Sequence, residues 1–312
     1  MVEQKLFKWI GGKKWLSSDL NQIFKNALSS NNVDTYIEPF AGGLGSFLFT
    51  LDTLKDGGIK NVILNDINSN IINLYSQIQK NPKPLFNLYW KLESDYQKTI
   101  PAVAKSLHHI KNKEELRPHL SDARSFFENV RSDYNSIQDK ENIQKAVMFL
   151  FIVKHSFNGI YRENNKGFCN SPFNWQQGLF DKAKVLNAFN VYNKIFNEFN
   201  IKFYNKDVFT FIEENKNKSN HSLFYFDPPY LNESSNENQY NKDHFTLEHQ
   251  KQLLNEYSQL KQVVFSNHYI DIFKDFCQQE GFEYQEILRN NIMSPKSKDE
   301  KSKISEILAA KY

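Results

Sequence analysis

A chain of 312 residues with 40% hydrophobic content can bury one large core or two. Its net charge of +3 excludes a generic polycation, so any nucleic-acid surface has to be local. Two widely separated cysteines, Cys169 and Cys277, argue against a zinc cluster or a disulfide framework; with no apolar signal core or membrane-length run, the expectation is a soluble, cytoplasmic protein.

In chain order, Val33 to Glu38 reads as a buried strand ending in the turn Pro39-Phe-Ala-Gly-Gly43, with a helix over Gly45 to Leu54 behind it. Lys60 to Asp66 is a second strand, again followed by a helix from about Asn68. Residues 69–191 contain no comparable strand series, and the apolar spacing of Ala146 to Phe157 is helical, which predicts an inserted, mainly helical domain. Strands return at Ile201–Tyr204, Leu223–Phe226 and Gln262–Ser266, alternating with helices at Val208–Glu214, Thr246–Leu260 and Ile270–Gln279. Two more strands are expected near Phe282–Leu288 and Ile304–Tyr312, and the polar run Asn215–Asn220 reads as a solvated loop. The alternation predicts an α/β, doubly wound, mostly parallel, Rossmann-like sheet built from residues 1–68 and 192–312, with sites at the carboxyl ends of its strands.

The strand end richest in chemistry is Asp227-Pro-Pro-Tyr230. A residue before proline is pushed to extended geometry and proline has no N–H to donate, so the Asp227 carboxylate and the Pro228 carbonyl can each accept one hydrogen of a planar amino group. Tyr230 offers a face for stacking. The plain alternative is a turn after a strand, because Asp and Pro are ordinary turn residues. The Phe40-Ala-Gly-Gly43 turn leaves backbone free of side-chain bulk around Gly42, yet it has neither the three spaced glycines of a dinucleotide site nor the ending of a P-loop. Asp66 stands where doubly wound folds place a carboxylate for ribose hydroxyls, or it caps the helix near Asn68. Asp207 can accept from an adenine amino group, or cap the helix from Val208. A glycine turn, a ribose carboxylate, an adenine acceptor and an amine grip, in that order, suit S-adenosylmethionine lying across adjacent strand ends.

The sequence also resembles the Dam-type DNA adenine-N6 methyltransferases over nearly its whole length. Besides Asp227-Pro-Pro-Tyr230 and Phe40-Ala-Gly-Gly43, Lys8-Trp9-Ile-Gly-Gly-Lys13 is similar to that family's K-W-x-G-x-K segment, and Leu64-Asn-Asp-Ile-Asn68 to its acidic second motif. Asn158-Gly-Ile-Tyr-Arg162-Glu-Asn164 with Asn170-Ser-Pro-Phe173 resembles its N-G-x-x-R-x-N…N-x-P-F hairpin, and Lys303 to Tyr312 its closing strand. The resemblance implies that Trp9, Lys13, Phe40 and Asp66 surround the cofactor, Trp9 as an apolar wall and Lys13 as a cation for its carboxylate. Bulk core packing and a solvated charge are the alternatives for these side chains. It also implies that residues 69–191 form a target-recognition domain with a hairpin near 158–175. On that hairpin Arg162 reads a guanine next to the target adenine, with a phosphate contact or surface ion pair as the alternative. Tyr161 departs from the small or apolar residue that the family often carries before this arginine, and is expected to wedge into the duplex. Asn158-Gly159 can make a tight turn, Asn164 shares the motif, and Lys296 and Lys298 are expected on phosphate.

The implied reaction is direct attack of adenine N6 on the sulfonium methyl, with the base flipped out of double-stranded DNA and S-adenosylhomocysteine leaving. No metal is required, because the leaving group is already cationic, and no cysteine sits in a Pro-Cys turn for cytosine-C5 chemistry. Cytosine-N4 methylation and a non-catalytic DNA-binding module on the same fold are the alternatives. A prokaryotic or viral source with a cognate restriction endonuclease is the expected context.

Overall fold

A computed structural model describes residues 6–9, 11–30, 32–101, 117–174, 179–230, 245–290 and 303–312. The chain divides into two compact units, one formed by Lys13–Ile67 with Phe199–Tyr312, the other by Asn68–Glu198 with the N-terminal segment that ends at Gly12.

The first unit holds a seven-stranded sheet: β1 (Thr35–Glu38), β2 (Asn61–Asn65), β3 (Ile201–Tyr204), β4 (Ser222–Phe226), β5 (Val263–His268), β6 (Glu283–Asn290) and β7 (Lys303–Lys311), in the spatial order β3-β2-β1-β4-β5-β7-β6. The pairs from β3 through β5 are parallel, whereas β7 runs antiparallel to both β5 and β6. Strand order reverses between β1 and β4, which makes their carboxyl ends the switch point where open α/β sheets bind ligands. Helices α1 (Ser17–Ser30) and α2 (Gly45–Asp56) belong to this unit.

The sheet is apolar on both faces, as parallel strands require. Along β4, Phe224 and Phe226 stack at 6.0 Å in the core that also holds Ile37 and Phe265. Tyr225 between them points the other way, onto Phe24 of α1, which also meets Tyr36 of β1.

The second unit gathers helices α3 (Ser69–Lys80), α4 (Pro82–Lys98), α5 (Ser121–Ser136), α6 (Ile143–His155) and α7 (Lys182–Glu198). α6 is buried on nearly every side, through residues such as Phe149, Leu150, Phe151 and Ile152, and packs against α3, α4 and α5. An all-round apolar helix of this kind has to be the centre of its bundle. Asn142 caps it, accepting from the backbone N–H groups of Gln144 and Lys145.

Back in the first unit, α8 (Val208–Asn215), α9 (Leu247–Gln259) and α10 (Asp271–Glu280) connect the later strands. The polar run after α8, expected as a loop, is a short 3-10 helix from Lys216 to His221. Among the described residues no helix is long and apolar enough to cross a membrane.

Candidate active site

The strand ends at the switch point are tied together by Asn65, the last residue of β2. Its side-chain amide donates to the Pro39 and Lys206 carbonyls at 3.1 and 3.0 Å, its Oδ1 accepts from the Lys206 N–H, and its own carbonyl accepts from the Ala41 N–H. One buried asparagine thereby fixes the turns after both β1 and β3.

Next to it, the Asp66 carboxylate accepts from the Gly42 N–H at 2.8 Å. Gly42 has a φ of +44°, a left-handed conformation that favours glycine, so the sequence meets a real conformational demand there. The capping alternative for Asp66 is not realised: Asn68 caps α3, accepting from the Asn70 and Ile71 N–H groups. For Asp207 the capping reading is realised, since its carboxylate accepts from the N–H groups of Phe209 and Thr210. Phe40 packs edge-on against Phe245, with ring centroids 5.7 Å apart.

Asp227 follows β4 and is gripped on one oxygen. Oδ1 accepts from the Ser266 hydroxyl at 3.0 Å and pairs with the Lys13 ammonium at 3.0 Å. The Ser266 hydroxyl also meets the Tyr225 hydroxyl at 2.9 Å, which fixes its orientation. Burial pushes the Asp227 carboxyl above the usual carboxylate range; Lys13 and Ser266 pull it back, and Glu306 adds to the rise. The Pro229 carbonyl is held by the Gln250 side chain at 2.8 Å, and Gln250 in turn accepts from Asn267. The course of the loop past Pro228 is therefore set by buried amides of α9 and β5.

Lys13, expected on the cofactor's carboxylate, is buried on Asp227 and Glu306, 3.3 Å from the latter, and hydrogen-bonded to the Tyr230 hydroxyl. Its ammonium lies 4.0 Å from the Tyr230 ring centroid. Glu38, at the end of β1, is also buried and accepts from the Tyr36 hydroxyl at 2.9 Å. Burial raises its carboxyl, Tyr36 opposes that, and Asp227 and Asp66 raise it further, so these carboxylates share one region.

Glu38, Asn65, Ser266, Gln250 and Glu306 are site residues that sequence reasoning missed. A signal existed for Glu38 and Asn65, each a polar residue closing an apolar strand run. Ser266, Gln250 and Glu306 carry none, because their roles come from strands and helices far along the chain.

In the second unit, the segment after α6 folds back on itself. Ser156 pairs with Phe173 and Glu163 with Cys169 in antiparallel bridges, and Asn170 N–H donates to the Arg162 carbonyl. The tip lies at Asn164–Phe168, where the Asn164 side chain accepts from the Lys166 and Phe168 N–H groups. Asn158-Gly159, expected to make the hairpin's tight turn, instead forms a 3-10 turn on the outgoing arm. Gly159 has a φ of +69°, and a Cβ there would meet Lys8 Cβ at 2.8 Å, so the glycine admits the N-terminal segment.

Arg162 is exposed on this hairpin, and its N–H donates to the Ser171 hydroxyl at 2.8 Å. The opposite arm is docked on α5: Arg131 donates to the Ser171 carbonyl, and the Asn135 amide makes a two-point pairing with the Cys169 backbone. Tyr161, expected to wedge into a duplex, has its ring stacked on Trp9 at 6.5 Å and edge-on to Phe149, with its hydroxyl on Tyr134 and Glu163. Trp9 is thus part of the packing beneath the hairpin. Among the described residues the exposed aromatic side chains of this segment are Phe157 and Phe168, each 44% exposed, neither of which the sequence reading singled out. Lys296 and Lys298 lie outside the described residues.

Over its length the chain is similar to known proteins. The chain is 29% identical, over the full length of both proteins, to the type II methyltransferase M.MjaIII of Methanocaldococcus jannaschii. It is 26% identical to the type II methyltransferase M1.LlaDCHI of Lactococcus lactis subsp. cremoris, over 98% of this chain and 94% of that protein. Identity to the DNA adenine methylase of Escherichia coli is 25%, over 97% and 93% of the two chains. The sequence profile of the D12 class N6 adenine-specific DNA methyltransferases matches residues 9–293. A match of that extent, on a mostly parallel seven-stranded sheet with Asp227-Pro-Pro-Tyr230 at its switch point, places the chain in that family: it is an N6 adenine-specific DNA methyltransferase, an activity that implies S-adenosylmethionine as methyl donor.

Proposed function

We propose that Asp227-Pro-Pro-Tyr230 grips the amino group of one adenine, flipped out of a DNA duplex, while the donor lies across the ends of β1 and β2. The observation that carries this reading is the Asp227 carboxylate, largely buried at the end of β4 and aimed by Ser266 and Lys13. An adenine N6 lone pair is delocalised into the ring; acceptance of one hydrogen by Asp227 and the other by the Pro228 carbonyl favours the pyramidal, nucleophilic nitrogen. As the N–CH3 bond forms, positive charge develops on that nitrogen, and the adjacent carboxylate stabilises it and draws the departing proton. Tyr230 supplies a stacking face for the base, which offsets part of the cost of leaving the duplex.

The residues at the strand ends fit the donor. Its sulfonium and ammonium are cations, and Glu38 and Asp66 place carboxylates at the ends of β1 and β2. When bound, S-adenosylmethionine supplies an electrophilic methyl on a cationic leaving group and departs as S-adenosylhomocysteine. Lys13 is assigned to Asp227 rather than to the donor's carboxylate. Asp207 serves as a helix cap, and Phe40 supports the wall of the turn. An Asp66→Ala variant loses both a candidate ribose acceptor and the anchor of Gly42, and donor affinity measured by calorimetry falls by about 10- to 100-fold.

Residues 69–191 are the target-recognition domain, and their hairpin reads sequence through Arg162, whose fork matches guanine O6 and N7. The site accordingly has a guanine beside the target adenine. Phe157 and Phe168 are apolar side chains exposed in the same segment, suited to duplex contact. A DNA substrate places the enzyme in the cytoplasm of a prokaryotic cell or an infected host, and the names of two relatives fit a role as the protective half of a restriction system with a cognate endonuclease.

The test is incubation with duplex DNA and labelled S-adenosylmethionine, followed by mapping of modified bases. Label on cytosine or on protein overturns the reading. Arg162→Ala is expected to relax one base position, costing about 1–3 kcal/mol of discrimination there. A uniform loss of binding at every sequence would make Arg162 a phosphate contact instead.

A further inference from the structure

We propose that Glu306 is a positioning residue of the transfer site: by sharing the Lys13 ammonium with Asp227 and anchoring the Tyr230 hydroxyl, it keeps Asp227 available as an acceptor for the amino group. The proposal rests on the reading of Asp227 as that acceptor.

Glu306 reaches the site by an uncommon route. β7 is antiparallel to its neighbours, so a residue near its beginning, rather than its end, lies at the edge where the parallel strands β4 and β5 finish. In the β5–β7 register Glu306 stands opposite His268, whose ring packs against Tyr230 with centroids 4.8 Å apart. The Glu306 Oε2 atom accepts from the Tyr230 hydroxyl at 2.9 Å and from Lys13 at 3.3 Å, and the residue is 1% exposed.

One buried ammonium therefore serves two carboxylates, that of Glu306 buried and that of Asp227 largely so. Such a group is costly to bury, and a site that needed only a neutral pair would be better off without the second carboxylate. A functional consequence follows from the sharing. With Glu306 present, Lys13 divides its hydrogens between Asp227, Glu306 and the Tyr230 hydroxyl. Without that charge, Asp227 is the carboxylate left to Lys13 beside the Tyr230 hydroxyl, so it is held more tightly and becomes a poorer acceptor, and the Tyr230 hydroxyl loses its charged acceptor.

Among the described residues, the groups that face Asp227 include Lys13, Glu306 and Glu38, with the tyrosines at 36, 225, 230 and 257; those facing Glu306 include Lys13, Tyr230 and His268. All four tyrosines are raised by burial, so they do not titrate in the acid range. Glu306 is among the groups that raise Asp227. Removing its charge should therefore act on the Asp227 limb.

The experiment compares Glu306→Gln, Tyr230→Phe, the double variant and Asp227→Ala in the full chain, using labelled S-adenosylmethionine and a duplex carrying the mapped site, with thermal unfolding as a control of folding. Glu306→Gln is expected to lower kcat by about tenfold or more with KM for DNA nearly unchanged. The acid limb of its kcat profile should move to lower pH, a displacement that a merely structural role does not produce. The double variant should lose less than the product of the two single losses, because both remove one shared contact. Wild-type kcat and an unmoved acid limb in folded Glu306→Gln, beside an inactive Asp227→Ala, overturn the proposal alone. An active Asp227→Ala overturns the acceptor reading on which it rests. Should Glu306→Gln fail to fold, Tyr230→Phe reads the same tether from the other side, and unchanged kcat there overturns the proposal.

Discussion

Replacing Asp227 with alanine is expected to lower methyl transfer by about a thousandfold while donor and duplex binding persist. The size follows from what the carboxylate does: it accepts from the nucleophile and faces the positive charge that grows on N6, an interaction stronger in the transition state than in the ground state. Folding is expected to survive, because Lys13 keeps Glu306 as a counter-ion and Ser266 keeps Tyr225 as a partner. Asp227→Asn preserves an acceptor oxygen without the charge and should retain more activity than the alanine variant. Single-turnover incorporation of labelled methyl, with binding measured separately, decides the matter; a wild-type rate in Asp227→Ala would remove Asp227 from the chemistry. Because burial holds this carboxyl above the usual range, activity should fall off on the acid side at a higher pH than for an ordinary carboxylate.

The second large effect concerns stability. Glu93 of α4 and His155 at the end of α6 are both fully buried and 2.8 Å apart, and the carboxylate also accepts from Tyr89 at 3.0 Å and Gln97 at 2.9 Å. Glu93→Ala strips an acceptor from all of these at once, and we expect a loss of about 3–5 kcal/mol, read as a lower unfolding midpoint. Burial alone would raise the Glu93 carboxyl, yet the hydrogen bond and charge of His155, with Gln97 and Tyr89, outweigh it and hold the group below its ordinary value. A depressed carboxylate contributes stability above its unfolded pKa and loses it as pH falls through the folded value, so the wild-type chain should destabilise in acid more steeply than Glu93→Ala. Equal acid slopes in the two proteins would show that the pair contributes nothing. Lys154 beside it is lowered to about 8 by burial against the opposing pull of Glu93, so the variant should lower it further.

This pair also has a bearing on recognition. His155 is the last residue of α6, its carbonyl accepts from the Asn174 N–H, and Ser156 begins the arm that pairs with Phe173. Loosening Glu93 therefore loosens the base of the Arg162 hairpin.

Much of the architecture was legible in the chain itself. Runs such as Leu223–Phe226, closed by Asp-Pro-Pro, can only be short buried strands ending in a turn, and parallel strands buried on both faces leave that continuous apolar signature. The glycine turn at Gly42 was readable for a similar reason, because a tight backbone path is a demand that few residue types meet locally; for the α3 cap the sequence offered Asp66, whereas Asn68 supplies it. The Asp227-Pro-Pro-Tyr230 loop was visible because its chemistry is carried by consecutive residues.

What only the tertiary structure decided are the contacts between residues distant along the chain. Lys13 and Glu306 are separated by 293 positions and meet because β7 inserts antiparallel between β5 and β6, an order no periodicity encodes. Asn65 reaches the loop after β3 across 141 positions. Tyr161 looks from sequence like a free aromatic beside Arg162, yet stacking on Trp9 and bonds to Tyr134 and Glu163 tie it into the hairpin's support. Local pattern reports the backbone state of each segment; which side chains then share a proton, a charge or a face depends on the order and direction in which those segments pack.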